Sequence, residues 1–434
     1  MADKTNEAWK KFLAAHPQVV ETIEGGDVCE VSAEDIKAFR EPRLMTKHDS
    51  RDSVPSALSA MGANVLSASR RSYYLGKFDV FERFPDMTGI RPDFCALPPY
   101  ETLDIEHISS ESNAINALVI SHILDDFLGE SEVVQTFNGR MGTGFFGFDI
   151  DVGGTTGHLD VKQAQLEIDA GFECDNSVII MEAKNVIHQD FNVRQLYYPF
   201  RRYRELVDKP IRLVFSQYTN LTYNLFEYRF ADPDDFGSIQ LLKKAAYTFE
   251  DDRVTADDVA RVWRKTGVLY SDKYERGQPA PFPQADRIDR IFALLEFLSD
   301  KPDGATTAEI VEFMGLVERQ ASYYPSAGIY LRLFERPRNG LTVLTGRAVK
   351  LVCLKSRRDR LLMFAACIFE HRIFHDLYGM ALNSGTIPTK STIERQMNEL
   401  QVLGGDSSST RSRRALTVSA WLKWLFDLPD DDQS

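Results

Sequence analysis

The segment QLEIDAGFECDNSVIIMEAKN carries Asp169, Glu182 and Lys184 at a spacing that chemistry can use. It reads as two strands joined at Asp175-Asn176, residue types that tolerate the left-handed conformation tight hairpins favour. That turn sets Asp169 opposite Glu182 and Glu167 opposite Lys184, with Cβ atoms about 5 Å apart and all four side chains on one face. Opposed carboxylates at that separation repel each other and persist most readily where a divalent cation neutralises both, and the cation expected is Mg2+. A lysine on the same face can orient and activate an attacking water and stabilise the charge that builds on a pentavalent phosphorus.

The bland alternative is a surface ion pair, since Glu-x-Lys arises by composition about once or twice in a chain of this length. The apolar run Val178-Ile-Ile-Met181 argues against it, because it marks a buried strand from which charges are absent unless paired or functional. Glu167 reads as a structural partner for Lys184.

Around the hairpin the pattern predicts an α/β core. A helix is expected over SSESNAINALVISHILDDFLG, then the Gly-punctuated NGRMGTGFFGFDIDVGGTTG, the two strands, a helix QLYYPFRRYRELV and a strand IRLVFSQYT. Residues 231–286 read as acidic and less regular, ending in the linker ERGQPAPFPQAD. Beyond it, RIDRIFALLEFLSD, TTAEIVEFMGL and ERQASYYPSAGIYLRLF read as three helices, followed by a hairpin turning at Asn339-Gly340. Thr306 and Glu309 have the spacing of a capping box. Three helices and a basic wing match a winged helix-turn-helix. Its third helix would offer Arg319, Gln320, Ser322 and Tyr323 to base edges, with Arg336 and Arg338 in the wing; docking of another protein is the competing use of such a domain.

The strand bearing Asp169 and the next bearing Glu182-Ala183-Lys184 resemble the PD-(D/E)xK nuclease superfamily. The runs RQASYYPSAGIYLRLFE, REPRLMTKHDSRDSVP and SRRSYYLGKFDVFE resemble segments of bacterial type II restriction enzymes that join such a domain to a winged helix. The resemblance implies a mixed α+β, restriction-endonuclease-like core with a central mixed sheet flanked by helices. It also implies that Asp169, Glu182 and the Ala183 carbonyl hold Mg2+ while Lys184 handles the water. Glu111 sits where a preceding helix often adds a metal-binding acid, and Gln195 where a following helix places a glutamine. The expected domains are 1–100, an α+β region for DNA recognition; 101–276, the nuclease; 277–350, the winged helix; and 351–434, a helical region without a family match. DNA contacts are expected from Arg43, Lys47, Arg70, Arg71 and Arg140 as well as the winged helix. The partners implied are double-stranded DNA, a second copy in a homodimer, and a cognate methyltransferase.

A formal net charge of −13 runs against nucleic-acid binding. Between Arg319 and Arg360, however, ten Lys or Arg face two acids, Glu335 and Asp359. With 43% hydrophobic and 26% charged residues the chain should fold; no apolar run is long enough to span a bilayer, so a soluble, cytoplasmic protein is expected. The five scattered cysteines fit reduced thiols rather than a disulfide framework or zinc ribbon. Gly142, Gly144 and Gly147 spell a dinucleotide-binding outline, but no helix can open there, so no cofactor is assigned and the segment reads as a Gly-rich β-loop. His371 and His375 lie one helical turn apart without a third ligand. The rival functions are a repair or recombination nuclease acting on branched or modified DNA, and a winged-helix regulator with an inactive nuclease-like domain.

Overall fold

The computed structural model of the protein describes residues 4–87, 90–97, 100–103, 105, 108, 110–249, 253–274, 282–337, 340–403 and 408–429. The N-terminal part comprises α1 (Lys4–Ala15), α2 (Pro17–Glu24), β1 (Cys29–Ser32), α3 (Ala33–Lys37), α4 (Pro42–Thr46), α5 (Ser56–Ser59), β2 (Asn64–Ser67) and β3 (Ser72–Gly76). Its strands are antiparallel in the order β1-β3-β2. Pro17 and Pro42 sit in the first turns of α2 and α4, where a missing N–H breaks no helical bond. Buried Trp9 donates its Nε1–H to the Met45 carbonyl at 2.9 Å, which fixes the end of α4 and aims the chain that follows it.

Next come β4 (Phe81–Arg83), β5 (Pro92–Phe94), α6 (Glu111–Ile120), α7 (Ile123–Leu128), β6 (Val134–Gly142), β7 (Phe145–Val152), β8 (Thr155–Lys162), β9 (Gln165–Glu173), β10 (Val178–Lys184), β11 (Asp190–Asn192), α8 (Arg194–Arg204), β12 (Ile211–Thr219), β13 (Thr222–Phe230) and β14 (Ile239–Thr248). Seven of the strands form a mixed sheet in the order β5-β14-β13-β12-β10-β9-β6. The β10/β12 and β14/β5 pairs are parallel and the others antiparallel. A parallel neighbour requires a crossover, and α8 supplies it between β10 and β12. Strand alternation divides β10: Ile179, Met181 and Ala183 pack under α6 and α7, and Ile180 joins a second core with α8, the β7–β8 hairpin and the N-terminal part. The architecture is mixed α+β.

The helix expected over 109–129 is broken in two. His122 adopts φ +58° between α6 and α7, and the bend lets both halves bury their apolar residues on the sheet. The Gly-rich stretch is not a loop but the strands β6 and β7, which meet at Gly144 (φ +75°). Residues 231–286 are more regular than expected, since they contain β14 and α9 (Ala256–Lys265).

The C-terminal part adds α10 (Ile288–Ser299), α11 (Thr307–Met314), α12 (Glu318–Ala321), α13 (Tyr323–Tyr330), β15 (Phe334–Glu335), β16 (Val343–Leu344), α14 (Gly346–Val352), α15 (Arg357–Phe369), α16 (Arg372–Ser384), α17 (Lys390–Glu399) and α18 (Ser408–Asp427). Thr306 and Glu309 form the expected capping box. The expected third helix splits into α12 and α13 at Ser322, and β15 and β16 pair antiparallel where the wing is expected. Asn339 of the wing turn lies outside the described residues. One hydrophobic core runs from Val254 through Leu428, so α10–α14 and the helices that follow them pack as one body. Among the described residues no helix is long and apolar enough to cross a membrane.

Candidate active site

The β9–β10 hairpin has the register inferred from its turn, with Val178 opposite Glu173 and Met181 opposite Ala170. The turn closes without a positive φ at Asp175 or Asn176, so the left-handed conformation is not what sets it. The ladder stops at Met181–Ala170, and Asp169 and Glu182 are not a backbone pair. Beyond that point the Asp169 carboxylate takes over, accepting the Ala183 N–H through Oδ2 at 2.9 Å. Glu167 does not face Lys184 either; it holds Arg140 at 3.0 Å and Arg43 at 3.6 Å, because β9 there pairs with β6 instead of β10.

Lys184 stands at the focus of the acids. Its Nζ lies 2.7 Å from Glu182 Oε1, 3.0 Å from the Ala183 carbonyl, 3.6 Å from Asp169 Oδ2 and 3.8 Å from Glu111 Oε1. Gln195, on the first turn of α8, donates its amide to Glu182 Oε1. Glu111 is delivered by the start of α6, whose Ser110 cap accepts the Asn113 N–H. Asp169, Glu182, the Ala183 carbonyl, Lys184, Gln195 and Glu111 therefore all meet.

Burial, reinforced by the charge of Asp169, pushes the Glu182 carboxyl up to about 8. Burial works against the Lys184 ammonium, but Glu182, Asp169 and Glu111 outweigh it and hold the amine well above the ordinary lysine range. A protonated Lys184 donates and stabilises negative charge; it is not a base in this state. Several carboxyls against one lysine leave the centre short of positive charge.

The centre opens into a cleft of about 420 Å³ walled by three parts of the chain: Arg43, Lys47 and Asp49 from the N-terminal part, the hairpin with His188 of the loop after β10 and Arg194 at the start of α8, and Glu312, Phe313 and Gly315 from the end of α11. Asp49, His188 and the α11 turn escaped the sequence reading. Nothing in local spacing marks them, because they are brought together by contacts such as Ser50 Oγ with the Gly315 carbonyl at 3.2 Å. His188 is buried and held down to about 3 by burial and by Arg290 and Lys184, which makes it a neutral imidazole.

Of the other residues assigned to DNA contact, Arg43 and Lys47 line the cleft, and Arg70 and Arg71 are exposed on the β2–β3 turn. Arg319, exposed on α12, donates to the Tyr323 hydroxyl at 3.0 Å, and Ser322 bonds back to the Arg319 carbonyl. Gln320 keeps a buried Oε1 without a partner. Arg336 is exposed and donates its Nε–H to the Thr342 hydroxyl at 3.2 Å, and Arg338 lies outside the described residues. Part of the basic surplus of 319–360 is taken up within the fold: Arg347 by Glu370, Arg358 by Asp258, and buried Arg360 by the Leu354 and Val352 carbonyls. His371 has both ring nitrogens engaged, by Asp272 and the Tyr330 carbonyl, while His375 lies against Trp263; the two do not converge.

Three family models match the chain, each described as a domain of unknown function: DUF6996 over residues 6–75, DUF6997 over 76–248 and DUF7226 over 290–430. The second spans the strands from β4 to the end of β14, and so the whole hairpin. No curated protein and no solved structure matches the chain.

Proposed function

We propose that the protein is a Mg2+-dependent endonuclease of the PD-(D/E)xK type that hydrolyses phosphodiester bonds in double-stranded DNA at a specific sequence. The observation that carries the reading is the meeting of Asp169, Glu182, the Ala183 carbonyl and Lys184 on the floor of a cleft rimmed by Arg43, Lys47 and Arg194. Among the described residues no three His, Cys, Asp or Glu side chains form a ready metal cage. The donor set still fits Mg2+, which takes hard oxygen ligands, needs only one or two carboxylates and keeps several waters. Lys184 already marks the point where a positive charge is wanted.

Asp169, Glu182 and the Ala183 carbonyl would hold the cation, with Glu111 at its margin. When bound it offsets phosphate charge and makes a water more acidic. The chain's own groups do the rest. Gln195 fixes Glu182, and Asp169 is fixed by the Ala183 N–H. The Lys184 ammonium donates to the oxygens on which negative charge builds as water bonds to phosphorus and the ester bond breaks. Arg43, Lys47 and Arg194 neutralise flanking phosphates, and α12 with the wing reads bases. Cutting both strands calls for two such centres, which a two-fold homodimer supplies; a methyltransferase of the same specificity would protect the host's own sites.

The test is to incubate the protein with unmethylated plasmid and phage DNA, with and without Mg2+, and to sequence the fragment ends. Discrete metal-dependent fragments sharing an end sequence are expected, with Lys184→Ala and Glu182→Gln slower by roughly a hundredfold or more. Cleavage confined to branched or modified DNA would replace the restriction reading by a repair one. Specific DNA binding without cleavage in Mg2+ or Mn2+ on any of these substrates would replace it by a regulator.

A further inference from the structure

In this structure the Lys184 ammonium occupies the very oxygens a cation would need: Glu182 Oε1 at 2.7 Å, the Ala183 carbonyl at 3.0 Å and Asp169 Oδ2 at 3.6 Å. Two positive charges cannot share those atoms at such distances without strong repulsion. Lys184 must therefore leave them when a cation arrives, and a buried ammonium needs a new counter-charge.

One acid in the cleft wall is built to receive it. Asp49 follows α4 in a segment pinned by its backbone: Asn192 N–H donates to the Asp49 carbonyl and Asn192 Nδ2 to the His48 carbonyl, both at 2.9 Å, and the Arg51 N–H donates to Asp190 Oδ1 at 2.8 Å. Its side chain is less occupied. Oδ2 faces Lys47 at 3.3 Å, and Oδ1 is buried with no hydrogen-bond partner. Of the other acids in the wall, Glu167 is held by Arg43 and Arg140, Glu312 lies at the exposed rim, and Glu111 stands at the margin of the cation site itself. Two more buried atoms in the same wall also lack partners: Gln195 Oε1, an acceptor, and His188 Nδ1, which accepts in the tautomer with its proton on Nε2. An ammonium has three N–H donors to offer to such a set, and unsatisfied buried polar atoms clustered around one cleft call for an absent donor. The charges of Lys184 and Asp49 already act on each other, since Lys184 and Lys47 help keep the Asp49 carboxyl ionised against its burial.

We propose that Asp49, supplied by the N-terminal part, is the positioning residue of Lys184: the lysine swings from Glu182 to Asp49 when the cation binds. The proposal rests on the nuclease reading above. It makes the N-terminal part necessary to the chemistry itself, beyond any contact it makes with DNA.

The experiment is calorimetric titration of the full chain with Ca2+, for wild type, Asp49→Asn, Lys184→Met and the double variant. Asp49→Asn should weaken Ca2+ binding by roughly tenfold or more. Asp49→Glu should recover part of the loss, and in the Lys184→Met background Asp49→Asn should change little, because no lysine remains to be moved. Equal weakening in both backgrounds would show that Asp49 acts on the cation directly and would overturn the proposal, as would no effect in wild type. Wild type that binds Ca2+ through Glu182, losing it in Glu182→Gln, but is indifferent to Asp49→Asn, removes this proposal alone. Wild type that binds no Ca2+ removes the nuclease reading as well.

Discussion

At the scale of single residues, the centre is defined by a proton as much as by its carboxylates. Glu182 is pushed from the ordinary 4.5 to about 8 by burial and by Asp169, so at neutral pH a cation must displace the proton it carries. Cation affinity should therefore rise with pH through about 8 and level off above it, with protons released on binding below that point. The stability of the cation-free protein runs the other way. The folded state holds a proton that the unfolded chain has already lost between 4.5 and about 8, so stability falls across that window as pH rises. Ca2+ titrations and thermal melts at about pH 6.5 and about pH 8.5 test both signs. Equal affinity and an equal melting shift at the two values would show that Glu182 is not the group the cation competes for. Asp169, Glu182 and Lys184 could be nominated from the chain, because carboxylates and a lysine on neighbouring strand positions share a face by geometry alone, whereas Gln195 and Glu111, which lie on helices, are nominated only through the resemblance to the PD-(D/E)xK nucleases. The partners of Glu167 could not, since they depend on where β9 parts from β10.

At the scale of elements, β9 has to serve two neighbours. It pairs with β10 up to Ala170 and with β6 along most of its length, and β6 is irregular between Gln135 and Gly139. That irregularity lays Phe137 across Gly171, where an added Cβ would come within 2.0 Å of the ring, and the ring in turn stacks on Tyr203 at 4.3 Å. Gly171→Ala should cost about 1–3 kcal/mol by displacing Phe137, measured as a lower urea midpoint. It should also slow cleavage, because Asp169 lies two residues away on the same strand. An unchanged midpoint would show that Phe137 swings aside freely. The strands themselves were legible from alternation and apolar runs, and β12 was expected over its observed length. The break at His122 was not, because the pattern of apolar residues is equally compatible with one helix until the sheet beneath demands two.

At the scale of the whole molecule, the C-terminal part and the seven-stranded sheet are tied by a buried arginine. Arg290 of α10 donates to the Ile187 carbonyl at 2.9 Å, just beyond β10, and reaches Asp52 of the N-terminal part at 3.5 Å. The Val317 N–H adds a bond to the Asp52 carbonyl at 3.3 Å just before α12. Arg290→Met should cost about 1–3 kcal/mol and weaken the coupling between the parts, so that a single calorimetric unfolding transition separates into two. A single transition at the wild-type temperature would mean that the parts are held together by other contacts. The sequence by itself determined the strands of the hairpin, their register as far as Met181 and Ala170, and the identity of the acids and lysine on it, because turn position and the period of two are local properties. Only the tertiary structure decided that Lys184 stands on the acids rather than beside them, and that Arg347, Arg358 and Arg360 of the basic stretch are taken up by Glu370, Asp258 and backbone carbonyls. It also decided that Asp49 and His188 enter the cleft. These depend on which distant surfaces pack together, and packing is set by the shape and charge of the whole chain, which no short stretch of it records.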